Sequence, residues 1–94
     1  MSRPAPTVIF AENDSKSQLV EEVVYADAIY AVFYEDSPIN LKLTKFLVEN
    51  PIPRYKKTSF SNPAYALKLR DRLNAQFKTD KFTVRVLTFG EILE

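Results

Sequence analysis

The clearest alternation of apolar and polar positions lies in residues 63–78, where apolar side chains recur every three or four residues. This spacing places them on one face of a helix. The side chains of this face are Ala66, Leu69, Leu73 and Phe77. Ser61 and Asn62 are suitable N-cap residues, and Pro63 suits the first helical position because that position needs no backbone donor. The pattern therefore predicts an amphipathic helix over 63–78.

Strands are predicted where β-branched and aromatic residues cluster or alternate with polar ones. Residues 28–34 are apolar on both faces, which predicts a central strand rather than an edge strand. The composition of residues 20–25 favours a strand, but their apolar positions also fit a helical turn, so both interpretations stay open. The other predicted strands are 7–10, 41–47, 54–60 and 82–89.

Polar and proline-rich stretches predict the connections. Residues 11–17 are polar and predict a loop, and residues 35–38 predict a turn with Pro38 at its corner. Residues 1–6 are rich in proline, and we expect a flexible tail there. Residues 7–94 are expected to form a single α+β domain. Its predicted architecture is a mostly antiparallel sheet of about four to five strands with the helix packed on one face.

Composition narrows the chemistry available to this chain of 94 residues. It contains no His, no Cys and a single glycine, Gly90. These absences exclude disulfides, a thiolate nucleophile, a Cys/His zinc site, a histidine general base and a glycine-rich phosphate loop. We therefore expect a protein that is not an enzyme and that uses no cofactor and no metal. Without an apolar signal region or a membrane-length apolar run, we expect a cytoplasmic location and no membrane partner.

Charge is divided unevenly along the chain. Residues 1–40 carry 2 basic and 7 acidic side chains, whereas residues 41–94 carry 11 basic and 5 acidic ones. Such asymmetry is typical of a face that binds a polyanion; the alternative is that the acidic half folds back and neutralises the basic half. Tyr55 and Phe60 interleave with the basic residues, as base stacking requires. The nucleic-acid-binding candidates are Arg54, Lys56, Lys57, Lys68, Arg72 and Lys78.

The chain also carries five Tyr and seven Phe, more rings than a small core hides easily. An exposed aromatic patch would mark a protein interface or self-association, whereas half-buried tyrosines with hydrated hydroxyls are the alternative. Arg70, at the edge of the apolar helix face, is either an anchor for a partner or a stem lying along apolar surface. The protein-interface candidates are Tyr30, Tyr34, Tyr55 and Arg70. A symmetric dimer is the simplest assembly through such a patch.

One segment resembles a group of known sequences. Residues 58–66 are Thr-Ser-Phe-Ser-Asn-Pro-Ala-Tyr-Ala, followed by Arg72-Leu73-Asn74 and then Phe82-Thr83-Val84. With these motifs, residues 54–89 resemble small uncharacterised proteins of phages, prophages and other mobile elements, in which a capped helix ending in Leu-Asn leads into a Phe-x-Val strand. The resemblance implies no activity and no functional residue. It implies an accessory role in the host cytoplasm, such as inhibition of a host or defence protein.

These observations leave two functions open. The first is a small non-enzymatic protein that acts through a protein–protein interaction, in which a rigid sheet face with aromatic and arginine side chains blocks or docks a partner. The alternative is a nucleic-acid-binding protein that uses the basic strand and helix of the C-terminal half. Salt-dependent binding of an oligonucleotide would distinguish the two.

Overall fold

The computed structural model describes residues 7–94, which form an α+β fold of eight strands and one helix, so the predicted class is confirmed. In chain order the elements are β1 (Val8–Asp14), β2 (Leu19–Val24), β3 (Ile29–Tyr34), β4 (Ser37–Pro38), β5 (Leu41–Leu43), β6 (Arg54–Lys56), β7 (Ser59–Phe60), α1 (Pro63–Gln76) and β8 (Phe82–Leu87). The predicted flexible tail, residues 1–6, lies outside the described residues. Within the described range, no helix is long and apolar enough to cross a membrane.

β3 is the central strand of the main sheet, as its apolar composition predicts. On one side β8 pairs with β3 over its whole length, from Tyr34 opposite Phe82 to Ile29 opposite Leu87. On the other side the short strands β4 and β7 pair with β3. All of these pairings are antiparallel. Because β7 and β8 both run antiparallel to β3, they are parallel to each other, and α1 connects them.

The core lies between α1 and the main sheet. Val32, Ala66 and Leu73 are at most 1% exposed and form the buried cluster. Half-buried apolar side chains pack around it; these are Tyr30, Ile39, Leu41, Phe60, Leu69, Phe82 and Val84. Side chains two residues apart on a strand share a face, so Tyr30 lies on the same helix-facing side of β3 as Val32. The apolar face predicted for the helix therefore supplies two of the three residues of the buried cluster, Ala66 and Leu73. Phe77, the last residue predicted on this face, stays 56% exposed because the helix ends before it.

The start of α1 follows from local sequence, whereas its end does not. Asn62 is the N-cap, and its Oδ1 accepts a hydrogen bond of 2.9 Å from the N–H of Ala64. Pro63 occupies the first helical position, as predicted. The helix ends at Gln76 rather than at the predicted residue 78, because Lys78 adopts a left-handed backbone conformation with φ of 54°. This conformation often follows the last helical turn, where glycine adopts it without steric cost.

The β1–β2 hairpin stands apart from the main sheet. Every residue of both strands is exposed, and among residues 7–94 no Cα of another strand or of the helix lies within 8 Å of a Cα of this hairpin. The predicted strand over 20–25 is confirmed, and the helical alternative is wrong. The predicted loop over 11–17 is wrong for residues 11–14, which belong to β1. Their polar side chains are compatible with a strand because neither face of this hairpin is buried.

A second hairpin, β5–β6, explains why two of the predicted strands differ from those in the structure. The predicted strand over 54–60 is divided, because β6 pairs with β5 whereas β7 pairs with β3. The predicted strand over 41–47 ends at Leu43, the last residue of β5 that pairs with β6. The strands of the described chain therefore form one four-stranded sheet and two separate hairpins instead of a single sheet.

The turn after β3 is shorter than predicted. The expectation was a turn over residues 35–38, but Ser37 and Pro38 pair with the end of β3 as β4. Glu35 begins the remaining two-residue turn with a left-handed φ of 54°. Pro38 therefore lies on a short edge strand, where a missing backbone donor is tolerated, and not at the corner of the turn.

The chain exposes far more surface than a compact monomer of its mass. Its accessible surface is 8809 Å², whereas a compact monomer of this mass exposes roughly 5,500 Å². The radius of gyration over Cα atoms is 17.7 Å, against roughly 12 Å for a compact chain of this length. The C-terminal residues add apolar surface beyond that of the hairpins, since Phe89, Ile92 and Leu93 are each at least 88% exposed. Apolar exposure on this scale is typical of surfaces that meet another molecule.

Candidate binding groove

A shallow groove of about 840 Å³ lies between the β5–β6 hairpin, β7 and one face of α1. Its floor is apolar and consists of Leu41, Phe60 and Leu69. Two tyrosines, Tyr55 and Tyr65, also line it. The remaining lining residues are the cations Lys56, Lys57, Lys68 and Arg72. Since the lining contains no carboxylate, the groove, which we call the basic groove, combines an apolar floor with positive charge.

The helix contributes to the basic groove through a second face, which adjoins the one that packs the core and shares Leu69 with it. Its four lining residues occupy positions i, i+3, i+4 and i+7; they are Tyr65, Lys68, Leu69 and Arg72. Residues at this spacing are neighbours on a helix surface. The same helix therefore anchors itself through Ala66 and Leu73 and presents a polar and aromatic face to the groove.

The floor of the basic groove is continuous with the core. Leu41, Phe60 and Leu69 all pack against the buried cluster. The rings of Phe60 and Tyr65 lie 6.1 Å apart between centroids, within the range of a favourable aromatic pair. Tyr55 and Tyr65 remain 65% and 61% exposed, respectively. A ligand would therefore meet a preformed apolar floor flanked by two amphipathic rings.

The cations of the basic groove have no carboxylate partner within the described chain. The ion pairs among residues 7–94 are Arg70–Asp71, Lys81–Glu35 and Arg85–Asp36, and none of these residues lines the groove. The guanidinium of Arg72 donates a hydrogen bond of 2.9 Å to Oε1 of Gln76, which is a neutral group. Positive charge left uncompensated beside apolar surface favours a ligand that carries negative charge.

Part of the acidic half does pair with the basic half, at the turn between β3 and β4. The carboxylate of Glu35 lies 3.3 Å from Nζ of Lys81, and its hydrogen bond raises the pKa of Lys81 above the ordinary lysine value. Asp36 lies 2.7 Å from the guanidinium of Arg85. The neutralisation considered from the sequence therefore applies to this turn, whereas the acidic β1–β2 hairpin does not approach the basic groove of its own chain.

The structure brings together four of the six nucleic-acid-binding candidates, the four cations of the basic groove. The other two lie elsewhere. Arg54 lines a neighbouring cavity of about 570 Å³ beneath the loop of residues 44–53, which shares Lys56 with the basic groove. Lys78 follows the end of α1. The interface candidate Arg70 also lies outside the groove, and its guanidinium is paired with Asp71 at 2.7 Å. A single surface containing all of these cations is therefore not formed.

The three tyrosines proposed as one exposed patch are separated. Tyr30 is half-buried and packs against the core, because strand periodicity turns it towards the helix. Tyr34 packs against Phe82 at 5.0 Å between ring centroids, beside a cavity that the basic groove does not include. Only Tyr55 lies in the basic groove. The three rings therefore do not line one cavity: Tyr30 is half-buried under α1, whereas Tyr34, 39% exposed, and Tyr55 line different cavities. Their assignment to a protein interface stays a prediction.

Two functional contributions were missed from the sequence. The first is Tyr65, which belongs to the second helix face described above and could have been found from its spacing to Lys68 and Arg72. The second is Asn74, whose Nδ2 donates to the carbonyl of Phe82 at 3.1 Å and whose Oδ1 accepts from the N–H of Phe82 at 3.0 Å. This reciprocal pair joins α1 to the first residue of β8. Asn74 and Phe82 both belong to the motifs quoted for the resemblance, but those motifs do not indicate a contact between the two residues.

The chemical groups of the basic groove are ammonium, guanidinium, phenol and hydrocarbon. Such a set suits recognition of an anionic ligand that also carries apolar surface.

Among residues 7–94, no group of three or more acidic side chains is placed to hold a metal ion. Comparison with protein-family models, with curated proteins and with solved structures found no match to this chain.

Proposed function

We propose that this chain is a small binding protein that docks an acidic and apolar segment of a partner protein in its basic groove. The observation that carries the proposal is the uncompensated positive charge around a preformed apolar floor. Carboxylates of the segment would pair with the lysines, while its apolar side chains would cover Leu41 and Leu69. The mechanism is steric, since a docked segment is withdrawn from its other partners. It requires no catalytic group, which suits an inhibitor or accessory protein.

The composition of the groove favours a protein ligand over a nucleic acid. A single strand of nucleic acid needs a row of cations with exposed rings on which bases stack. Tyr55 and Tyr65 are exposed rings, but the floor beside them includes the aliphatic Leu41 and Leu69, and Phe60 is half-buried against Tyr65. The chain as a whole has a net charge of only +1, whereas dedicated nucleic-acid-binding domains are strongly basic.

A direct test is fluorescence anisotropy with the full chain and three labelled probes. These are a peptide of roughly ten residues that alternates leucine with glutamate, a matched peptide that alternates leucine with lysine, and an oligothymidine of about ten nucleotides. We expect the acidic peptide to bind in the micromolar range and the other two to bind at least about tenfold more weakly. Raising the salt concentration should weaken the binding of the acidic peptide, because dissolved ions screen the attraction between its carboxylates and the lysines of the groove.

Charge reversal assigns the binding to the groove. Lys56→Glu/Lys57→Glu should lower the affinity for the acidic peptide at least about tenfold, since it replaces two cations of the groove with carboxylates. The matched control is Lys45→Glu/Lys78→Glu, which changes the net charge equally at positions outside the groove and should retain binding within about threefold. Equal losses of affinity in both variants would mean that the peptide responds to the net charge of the chain and does not bind in the groove. Preferential binding of oligothymidine, lost in the first variant only, would replace this proposal with the nucleic-acid function.

A further inference from the structure

We infer that the basic groove is occupied by the β1–β2 hairpin of a second copy of this chain, so that two copies exchange hairpins in a closed dimer. The inference rests on the proposed function and names its partner. Three features of the molecule support it: the chemistry of the hairpin, its isolation from its own chain, and the amount of surface left exposed.

The hairpin has the chemistry that the basic groove lacks. Residues 8–24 contain four carboxylates and one lysine. The cross-strand pairs Phe10–Val23, Glu12–Glu21 and Asp14–Leu19 alternate along β1 and β2, so their side chains share one face. We call this the acidic face. It places acidic groups between apolar ones, in the mixture that the floor and cations of the groove would cover.

One pair on the acidic face indicates that a cationic partner is missing. Glu12 lies directly opposite Glu21 in the antiparallel register. Like charges in opposed positions of a sheet destabilise the pairing of the two strands. No ion pair of the described chain includes either residue. Lys56 and Lys57 of a second copy would convert this repulsion into attraction and would themselves gain the carboxylate partners that they lack.

The connection of the hairpin to the rest of the chain favours docking between copies. Tyr25 still belongs to the hairpin, since its N–H donates to the carbonyl of Thr7 at 2.9 Å. Only residues 26–28 separate it from β3, and three residues span at most about 11 Å. A hinge this short disfavours folding back and favours exchange of the same element between two copies.

The exposed surface is sufficient for such an assembly. The accessible surface of 8809 Å² exceeds that of a compact monomer by an amount larger than the roughly 800 Å² that each partner buries in a stable interface. On the hairpin itself, Phe10 is 73% exposed and Leu19 is 67% exposed. Each copy offers one hairpin and one groove, so reciprocal docking satisfies both and closes the assembly at two copies.

Sedimentation velocity of the full chain, from about 1 to 100 μM, tests the inference with two charge-reversed variants. Glu12→Lys/Glu21→Lys reverses the hairpin, and Lys56→Glu/Lys57→Glu reverses the groove. We expect a wild-type dimer and, in each variant alone, a dissociation constant raised at least about tenfold. An equimolar mixture should form a heterodimer within about threefold of the wild-type affinity, because each reversed hairpin then meets a groove of opposite charge. Circular dichroism verifies that both variants are folded.

Each outcome decides the inference separately from the proposed function. A wild-type chain that stays monomeric at every concentration, or a mixture that does not recover, overturns hairpin exchange. A dimer that survives Lys56→Glu/Lys57→Glu also overturns it, because the hairpins would then meet each other. The groove of Glu12→Lys/Glu21→Lys is unaltered, so its binding of the Leu-Glu peptide reports on the proposed function alone. If that variant binds the peptide while the wild type is monomeric, hairpin exchange fails and the proposed function stands.

Discussion

The main sheet with α1 and the β1–β2 hairpin are built from similar residues but differ in what covers them. In the first region β3 is flanked by strands on both sides, and α1 packs over it, so Val32 and Leu73 are each 1% exposed. In the second, two strands of comparable length pair only with each other, and Val20 is 58% exposed. An isolated two-stranded hairpin is marginally stable in water. The difference teaches that burial here depends on a second layer packed against the strands and not on hydrophobic composition.

The largest expected effect is on the free energy of unfolding, and it should differ between a core variant and a hairpin variant. Leu73→Ala should lower the free energy of unfolding by about 2–5 kcal/mol, because it removes transfer energy and leaves a cavity in the core. Val20→Ala, on the opposite side of the hairpin from the acidic face, should change it by less than about 0.5 kcal/mol. Urea denaturation of both variants measures the contrast. A loss of about 2 kcal/mol or more in Val20→Ala would show that the hairpin unfolds together with the core.

A smaller effect is expected where α1 meets β8. Asn74→Ala should cost about 1–3 kcal/mol, since it leaves both backbone groups of Phe82 without their side-chain partner. The comparison variant is Gln76→Ala, which removes only an exposed hydrogen bond on the same helix and should cost less than about 0.5 kcal/mol. Thermal or urea unfolding measures both. Equal stabilities of the two variants would mean that Asn74 does not hold the helix onto the sheet.

The smallest expected effect comes from relieving backbone strain at one residue beside α1 and at one residue in the turn of the hairpin. Lys78 and Gln18 both have a left-handed φ, of 54° and 58° respectively. Lys78→Gly should raise the free energy of unfolding by about 0.5–1 kcal/mol, because glycine adopts this conformation without a steric cost. Gln18→Gly relieves the same strain in the turn of the hairpin but should leave global unfolding unchanged. Lys78→Ala is the control for loss of the lysine side chain. If it raised the free energy of unfolding as much as Lys78→Gly, relief of backbone strain would not be the cause.

The sequence predicted those parts of the molecule that depend on local pattern. The capped helix, the central position of β3 and the strand over residues 20–25 all follow from periodicity and side-chain shape. The division of residues 54–60 between two sheets could not be predicted, because it depends on which distant strand each half meets. The same reason explains why Tyr30 was expected on an exposed patch, since its ring becomes half-buried only once α1 has packed against β3.

The candidate site was predicted in part. Four of its cations were identified from the charge asymmetry, and Tyr55 and Phe60 were identified from their places among them. The apolar floor as a whole was not predicted, since Leu41 and Leu69 join Phe60 only when β5, β7 and α1 converge. The resemblance of residues 54–89 to small phage and mobile-element proteins, and the inhibitor role that it implies, remain predictions.

The pairing of β3 with β8 also determines the order in which the parts of the chain can form. Tyr34 is opposite Phe82, so the central strand acquires its long partner only after nearly fifty further residues. Closing so long a loop costs chain entropy before any core contact is gained, which slows folding. The β1–β2 hairpin, closed by a turn of residues 15–18, needs no distant segment and can form within microseconds. Under the proposed hairpin exchange, a newly made chain would therefore present its acidic face before any basic groove exists to receive it, and assembly would follow folding as a separate, concentration-dependent phase.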